Sequence, residues 1–199
     1  VGCGLIGTSW ATFFASKGLL TRMYDVDMVT CERGAQRARE NLRTLVDLKH
    51  LPSADFDAAL ANLQTVNSLE ELLTECDYVQ ESVLEDYDTK AQVFRAMEQH
   101  LSPAAIIATS SSGLLMSRMQ QALEHPARSL ITHPFNPPHL IPLVELVPGE
   151  RTSAETVTAV KSFFYAFGQA SRSAEQGNSR AYRQPSGRRR LARSSGSVR

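Results

Sequence analysis

Gly2, Gly4 and Gly7 fall within the first seven residues, Val1-Gly-Cys-Gly-Leu-Ile-Gly7, in G-x-G-x-x-G spacing. No other stretch restricts the fold of this chain as much. In that spacing the first glycine permits a tight turn out of a strand. The second lets the backbone approach a pyrophosphate, and the third lets the next helix pack closely on the sheet. That helix turns its N–H groups and positive dipole end toward the phosphates. Gly2, Gly4, Leu5, Ile6 and Gly7 are therefore candidate cofactor-binding residues. The motif is short, so its weight depends on what flanks it.

The flanks fit. Residues 8–17 read as a helix closed by Gly18, and residues 19–24 as a second strand. Asp25 ends that strand, 18 residues after Gly7. A carboxylate there accepts hydrogen bonds from the adenosine ribose hydroxyls. It also repels the 2′-phosphate of NADP, so the expected cofactor is NAD. The other role open to Asp25 is N-cap of the helix that follows.

Beyond Asp25 the chain alternates helix and strand. Helices are expected near 29–48, 53–63, 68–74, 88–100, 115–123 and 153–167, the last stopping at Gly168. Strands are expected near 63–67, 78–83, 104–109, 129–132 and 143–147. This order specifies an α/β fold, a Rossmann-like doubly wound, mostly parallel sheet covered on both faces. Its length of 199 residues fits one domain with at most a small extension, and 42% hydrophobic residues supply a core.

Both ends depart from that pattern. Almost no strand precedes Gly2, where such a fold needs roughly five residues; a clipped N-terminal strand is expected. Residues 169–199 carry eight of the 21 basic residues, all arginine, and one acid, Glu175. Without them the 21 basic and 21 acidic residues become 13 and 20, an acidic body. A Ser-, Gly- and Arg-rich segment buries too little apolar surface to order itself. The expected division is a nucleotide-binding domain over 1–168 and a disordered or non-native tail over 169–199. A basic tail of this kind is also a candidate nucleic-acid arm. The zero formal net charge of the whole chain points away from nucleic acid as a partner. Cys3, Cys31 and Cys76 form no C-x-x-C pair, so reduced thiols and no metal site are expected. No apolar run approaches about 18 residues, so no membrane partner is expected and the expected compartment is cytoplasmic.

Candidate chemistry lies at strand ends in the second half, where open α/β sheets bind ligands. Thr109-Ser-Ser-Ser-Gly113 ends one strand and His133-Pro-Phe-Asn-Pro-Pro138 another. Glu145 interrupts the apolar run Leu143-Val-Glu-Leu-Val147, and a carboxylate so placed is costly unless paired. A histidine is its natural partner, with ring tautomer and basicity set by the acid. The serine cluster offers a hydroxyl to a substrate oxygen, although Ser110 or Ser111 could equally be a helix cap.

Taken together, these motifs resemble the 3-hydroxyacyl-CoA dehydrogenase family over residues 1–168. Ser112 precedes His133 by 21 residues and His133 precedes Glu145 by 12, as in that family. Gly7-Thr-Ser-Trp10, Val79-Gln-Glu-Ser-Val83 and the run 133–147 are similar to its lambda-crystallin branch, the L-gulonate 3-dehydrogenases. The resemblance implies His133 as general base, Glu145 as its orienting partner and Ser112 as donor to the substrate oxygen. It implies Asn136 as a group placing substrate and nicotinamide, and Glu85 and Lys90 as NAD contacts. The implied reaction is oxidation of a 3-hydroxy acid or 3-hydroxyacyl-CoA to the 3-keto product by a homodimer. The family's helical C-terminal domain, which carries most of that dimer interface, is expected to be missing here. An inactive NAD-binding fragment or a crystallin-like structural protein is then the alternative. The region that the resemblance places toward CoA, the long helix after the second strand and its exit, offers Arg43 and Lys49 amid Asp47 and Leu48, which favours a small hydroxy acid.

Overall fold

The computed structural model describes residues 1–173 of the chain. In chain order the elements are α1 (Leu5–Ser16), β1 (Thr21–Met23), α2 (Met28–Asp47), α3 (Phe56–Ala61), β2 (Leu63–Thr65), α4 (Leu69–Leu73) and β3 (Tyr78–Glu81). They continue with α5 (Tyr87–Glu98), β4 (Ile106–Thr109), α6 (Met116–Met119), β5 (Ser129–Pro134), β6 (Leu143–Pro148), α7 (Ala154–Ala166) and β7 (Ala170–Ser173).

The strands form two sheets. β1 and β2 pair in parallel. The larger sheet runs β3-β4-β5-β6-β7, parallel at every step except β5 against β6. Val1 and Gly2 tie the sheets together. The Val1 amine donates to the Gln80 carbonyl at 2.9 Å, the Ser82 N–H donates to the Val1 carbonyl at 2.8 Å, and the Gly2 N–H donates to the Tyr24 carbonyl at 2.9 Å. Behind this seam a cleft of about 430 Å³ opens between β1 and β3, lined by Thr21, Met23, Tyr78, Gln80, Trp10 and Phe14.

Alternation along the strands divides the core into two layers, as the pleat dictates. Val79, Ile107 and Ile131 pack with Leu73, Phe94, Met97 and Met119 from α4, α5 and α6. Their neighbours Ala108 and Leu130 pack with Trp10, Phe13 and Phe14 of α1 and Val160 and Phe164 of α7. This is the doubly wound arrangement that the sequence pattern implies.

The sequence reading starts the first helix at residue 8; it begins at Leu5, straight after the glycines. It also starts the tail at residue 169. Residues 170–173 instead form β7, whose residues pair with residues 143–146 of β6. The strand is short, polar and mostly exposed, so it carries no apolar alternation to betray it. The remainder of the tail, 174–199, lies outside the described residues.

Phe164 is the hub of the aromatic layer. It is fully buried and lies 5.5 Å from Trp10, 6.3 Å from Phe13 and 5.3 Å from Phe163, centroid to centroid. Phe164→Ala should lower unfolding free energy by about 3–5 kcal/mol, from lost transfer energy and the cavity left behind. Urea denaturation followed by Trp10 emission measures it; a loss under about 1 kcal/mol would show that the layer repacks freely.

Candidate dinucleotide and catalytic site

Steric contacts fix the glycine loop. Gly2 has φ +84°, and a Cβ there would lie 2.7 Å from the Ser82 carbonyl oxygen. A Cβ on Gly7 would lie 1.8 Å from the Gly2 carbonyl oxygen, so no other residue fits. A Cβ on Gly4 would meet nothing within 4 Å, which leaves the outer face of the loop open. Helix α1 starts there with Gly4 as N-cap, no capping side chain and no acid in its first turn. The first-turn N–H groups thus have no carboxylate competing for them, and the positive end of the helix faces the opening. Leu5 is exposed and Ile6 half-buried at this rim.

Asp25 sits beside the loop. Its Oδ2 accepts from the Cys3 N–H at 2.8 Å and its Oδ1 from the Asp27 N–H at 3.1 Å. Each oxygen keeps acceptor capacity for a ribose hydroxyl. The helix-capping role open to Asp25 in the sequence falls to Asp27, which accepts from Val29 and Thr30 N–H. An open glycine loop, an uncapped helix start and a carboxylate at the end of β1 together fit a dinucleotide.

A second cluster lies at the C-terminal ends of β3 and β4. Glu85 Oε1 accepts from the Ser111 hydroxyl at 2.6 Å and from the Ser112 and Gly113 N–H groups, both at 2.9 Å. Burial pushes the Glu85 carboxyl up, but these three donors and the Lys90 ammonium outweigh it and hold it below its ordinary value of 4.5. Lys90 is only 1% exposed. Its ammonium lies 2.7 and 2.9 Å from the two oxygens of fully buried Glu81, and 3.6 Å from Glu85. Thr109 donates its hydroxyl to Glu81 at 2.6 Å. Lys90 is thus a buried counter-ion, and its influence on any ligand passes through Glu85. Glu81 was not singled out in the sequence. β3 reads Tyr-Val-Gln-Glu, so Glu81 does not interrupt an apolar run as Glu145 does, and its burial with Lys90 follows from the fold.

His133 and Glu145 are cross-strand partners in the β5/β6 ladder. His133 Nδ1 lies 3.3 Å from Glu145 Oε2, with both side chains partly exposed. Ser112 is exposed three residues beyond Thr109, and Asn136 is exposed two residues beyond the end of β5. Because β4 and β5 are parallel neighbours with Thr109 opposite Ile131, both leave the same edge of the sheet as His133. Among the described residues no group of three or more His, Cys, Asp or Glu could hold a metal ion. Cys3 and Cys31, far apart in sequence, bring their sulfurs to 3.7 Å, and burial pushes the Cys3 thiol up to about 12. No described helix is long and apolar enough to cross a membrane.

These features define a dinucleotide-binding α/β domain with an acid–histidine pair at its carboxyl edge. The family model described as 3-hydroxyacyl-CoA dehydrogenase, NAD binding domain, matches residues 1–173, and the chain belongs to that family. It is 37% identical over 170 residues to a 3-hydroxyacyl-CoA dehydrogenase of Gibberella moniliformis, covering 85% of this chain and 51% of that protein. It is 32% identical over 171 residues to the lambda-crystallin of Oryctolagus cuniculus, covering 85% and 54%. The crystal structure of (S)-3-hydroxybutyryl-CoA dehydrogenase from Ralstonia eutropha superposes with a TM-score of 0.83 at 27% identity, over 88% of this chain and 62% of that one. The chain thus spans about half the length of these curated relatives.

The clamp on the serine loop has a signed pH dependence. A carboxyl held below its unfolded value contributes stability above that value and loses it as pH falls through the folded value. Glu85→Gln should therefore be less heat-stable than the parent at about pH 7, with the gap closing only as pH falls below the ordinary value of 4.5 and through the lower folded value. Thermal melts of both proteins across that range test it; a gap constant with pH would show that the Glu85 charge is not what holds the loop.

Proposed function

We propose that this chain carries the NAD-binding and proton-transfer half of a dehydrogenase for 3-hydroxy acids or 3-hydroxyacyl-CoA esters, giving the 3-keto product. The observation that carries this reading is the His133–Glu145 pair, held in register by the β5/β6 ladder at the sheet edge beside the serine loop.

NAD, when bound, supplies the hydride acceptor. The protein handles the proton. With Nδ1–H directed at Glu145, Nε2 is the basic atom of the ring and takes the hydroxyl proton. The Glu145 carboxylate then stabilises the imidazolium across a 3.3 Å contact. Ser112 donates its hydroxyl to the substrate oxygen as it becomes a carbonyl, and Asn136 places the substrate against the nicotinamide. Glu85 fixes the loop that presents Ser112, through the two N–H bonds at 2.9 Å.

A small hydroxy acid of the L-gulonate kind is favoured over a CoA ester. The support for this is the acid Asp47, which stands with Arg43 and Lys49 in the region that the resemblance places toward CoA.

His133→Gln should lower oxidation of L-gulonate or 3-hydroxybutyryl-CoA by about 10²–10⁴-fold, the usual loss for a general base. NADH binding should stay unchanged, because the glycine loop and Asp25 hold the nucleotide. Glu145→Gln should cost less, since the amide still orients the ring. Absorbance of NADH formed measures all three proteins; undiminished turnover by His133→Gln would refute the mechanism.

A further inference from the structure

A buried polar chain runs behind the glycine loop, and the proposed mechanism makes no use of it. Trp10 Nε1–H donates to the Ser110 hydroxyl oxygen at 3.1 Å, and the Gln80 amide donates to the same oxygen at 2.9 Å. The Gln80 carbonyl oxygen is itself filled by the Tyr78 hydroxyl at 2.6 Å and the Thr132 hydroxyl at 2.9 Å. The Ser82 hydroxyl lies 2.8 Å from that of Ser110.

Proton counting fixes the direction of this last contact. A serine oxygen has two acceptor positions and one proton. Trp10 and Gln80 fill both acceptor positions of Ser110, so Ser110 must donate to Ser82. The Ser82 proton is then committed to no group in the network. Ser82 is half-buried, and its Cβ lies 3.4 Å from where a Cβ on Gly7 would sit. A Cβ on Gly2 would lie 2.7 Å from the Ser82 carbonyl oxygen. The hydroxyl thus stands at the glycine loop with a proton to give.

Position selects the acceptor. Asp25, at the end of β1, marks the adenosine side of the loop. Ser82 follows β3 on the opposite side, next to Ser110 at the end of β4 and toward the His133 edge. A dinucleotide that crosses the loop from Asp25 brings its other half over Ser82. We propose that the Ser82 hydroxyl donates a hydrogen bond to a phosphate or ribose oxygen in the nicotinamide half of bound NAD, with its proton aimed there by Ser110. This rests on NAD occupying the glycine loop, not on the chemistry at His133.

Titration of the 199-residue protein with NADH and with AMP tests the assignment. Ser82→Ala should weaken NADH about threefold to tenfold, the range for one neutral hydrogen bond, and leave AMP unchanged. Ser82→Cys keeps the volume with a weak donor and should fall between the two. The emission of Trp10, the single tryptophan, checks that the packing of each ligand-free variant matches the parent. NADH affinity equal to the parent's in both variants would overturn the proposal, and so would AMP weakening in step with NADH. A parent that bound no NADH would overturn the cofactor reading itself.

Discussion

Gly7 lies so close to Gly2 that a single methyl group on it would overlap the Gly2 carbonyl oxygen. That contact sets the geometry of the site. It lets α1 start at once after the turn, so the open end of the helix faces the seam between the two sheets. The same turn carries the hydrogen bonds of Val1 and Gly2 to β3 and to the end of β1. It also presents the Cys3 N–H to Asp25, joining the loop to the carboxylate beyond β1. A side chain at Gly7 would disturb the helix start, the sheet seam and the carboxylate together.

The second half of the site depends on a buried charge. Glu81 and Lys90 are both essentially inaccessible to water, and such a pair persists only when each group is fully bonded. Here Thr109, Val83 and Lys90 all donate to Glu81, while Lys90 also faces Glu85. Glu85 in turn gathers the Ser111 hydroxyl and the Ser112 and Gly113 N–H groups. A charge under the sheet edge thereby fixes a loop on its surface, whereas His133 and Glu145 are fixed by strand register. The two devices meet at one edge because β4 and β5 run parallel and β6 returns antiparallel.

Much of this was legible in the sequence because steric and electrostatic demands leave marks there. Glycine spacing specified the loop, and strand–helix alternation specified two core layers. An acid in the apolar run of β6 called for a basic partner. Glu81 left a fainter mark, because β3 reads Tyr-Val-Gln-Glu and the acid interrupts no apolar run; its pairing follows once Lys90 is buried beside it. Three features left no such mark. β7 is polar and short, and exists because β6 offers it an edge. The proximity of Cys3 and Cys31 arises only when α2 packs on the loop. The direction of the Ser110–Ser82 contact depends on Trp10 and Gln80, which only the fold brings together.

The central claim is that the glycine loop and Asp25 form one nucleotide site with a preference for an unmodified ribose. Parallel calorimetric titrations with NADH and NADPH, on the parent and on Asp25→Ala, test it most directly. The account predicts that the parent binds NADH more tightly than NADPH. Asp25→Ala should lose about 1–3 kcal/mol toward NADH, the cost of removing hydrogen bonds to the hydroxyls, and should narrow the gap between the two nucleotides. Tighter binding of NADPH by the parent, or an Asp25→Ala variant indistinguishable from it, would contradict the account.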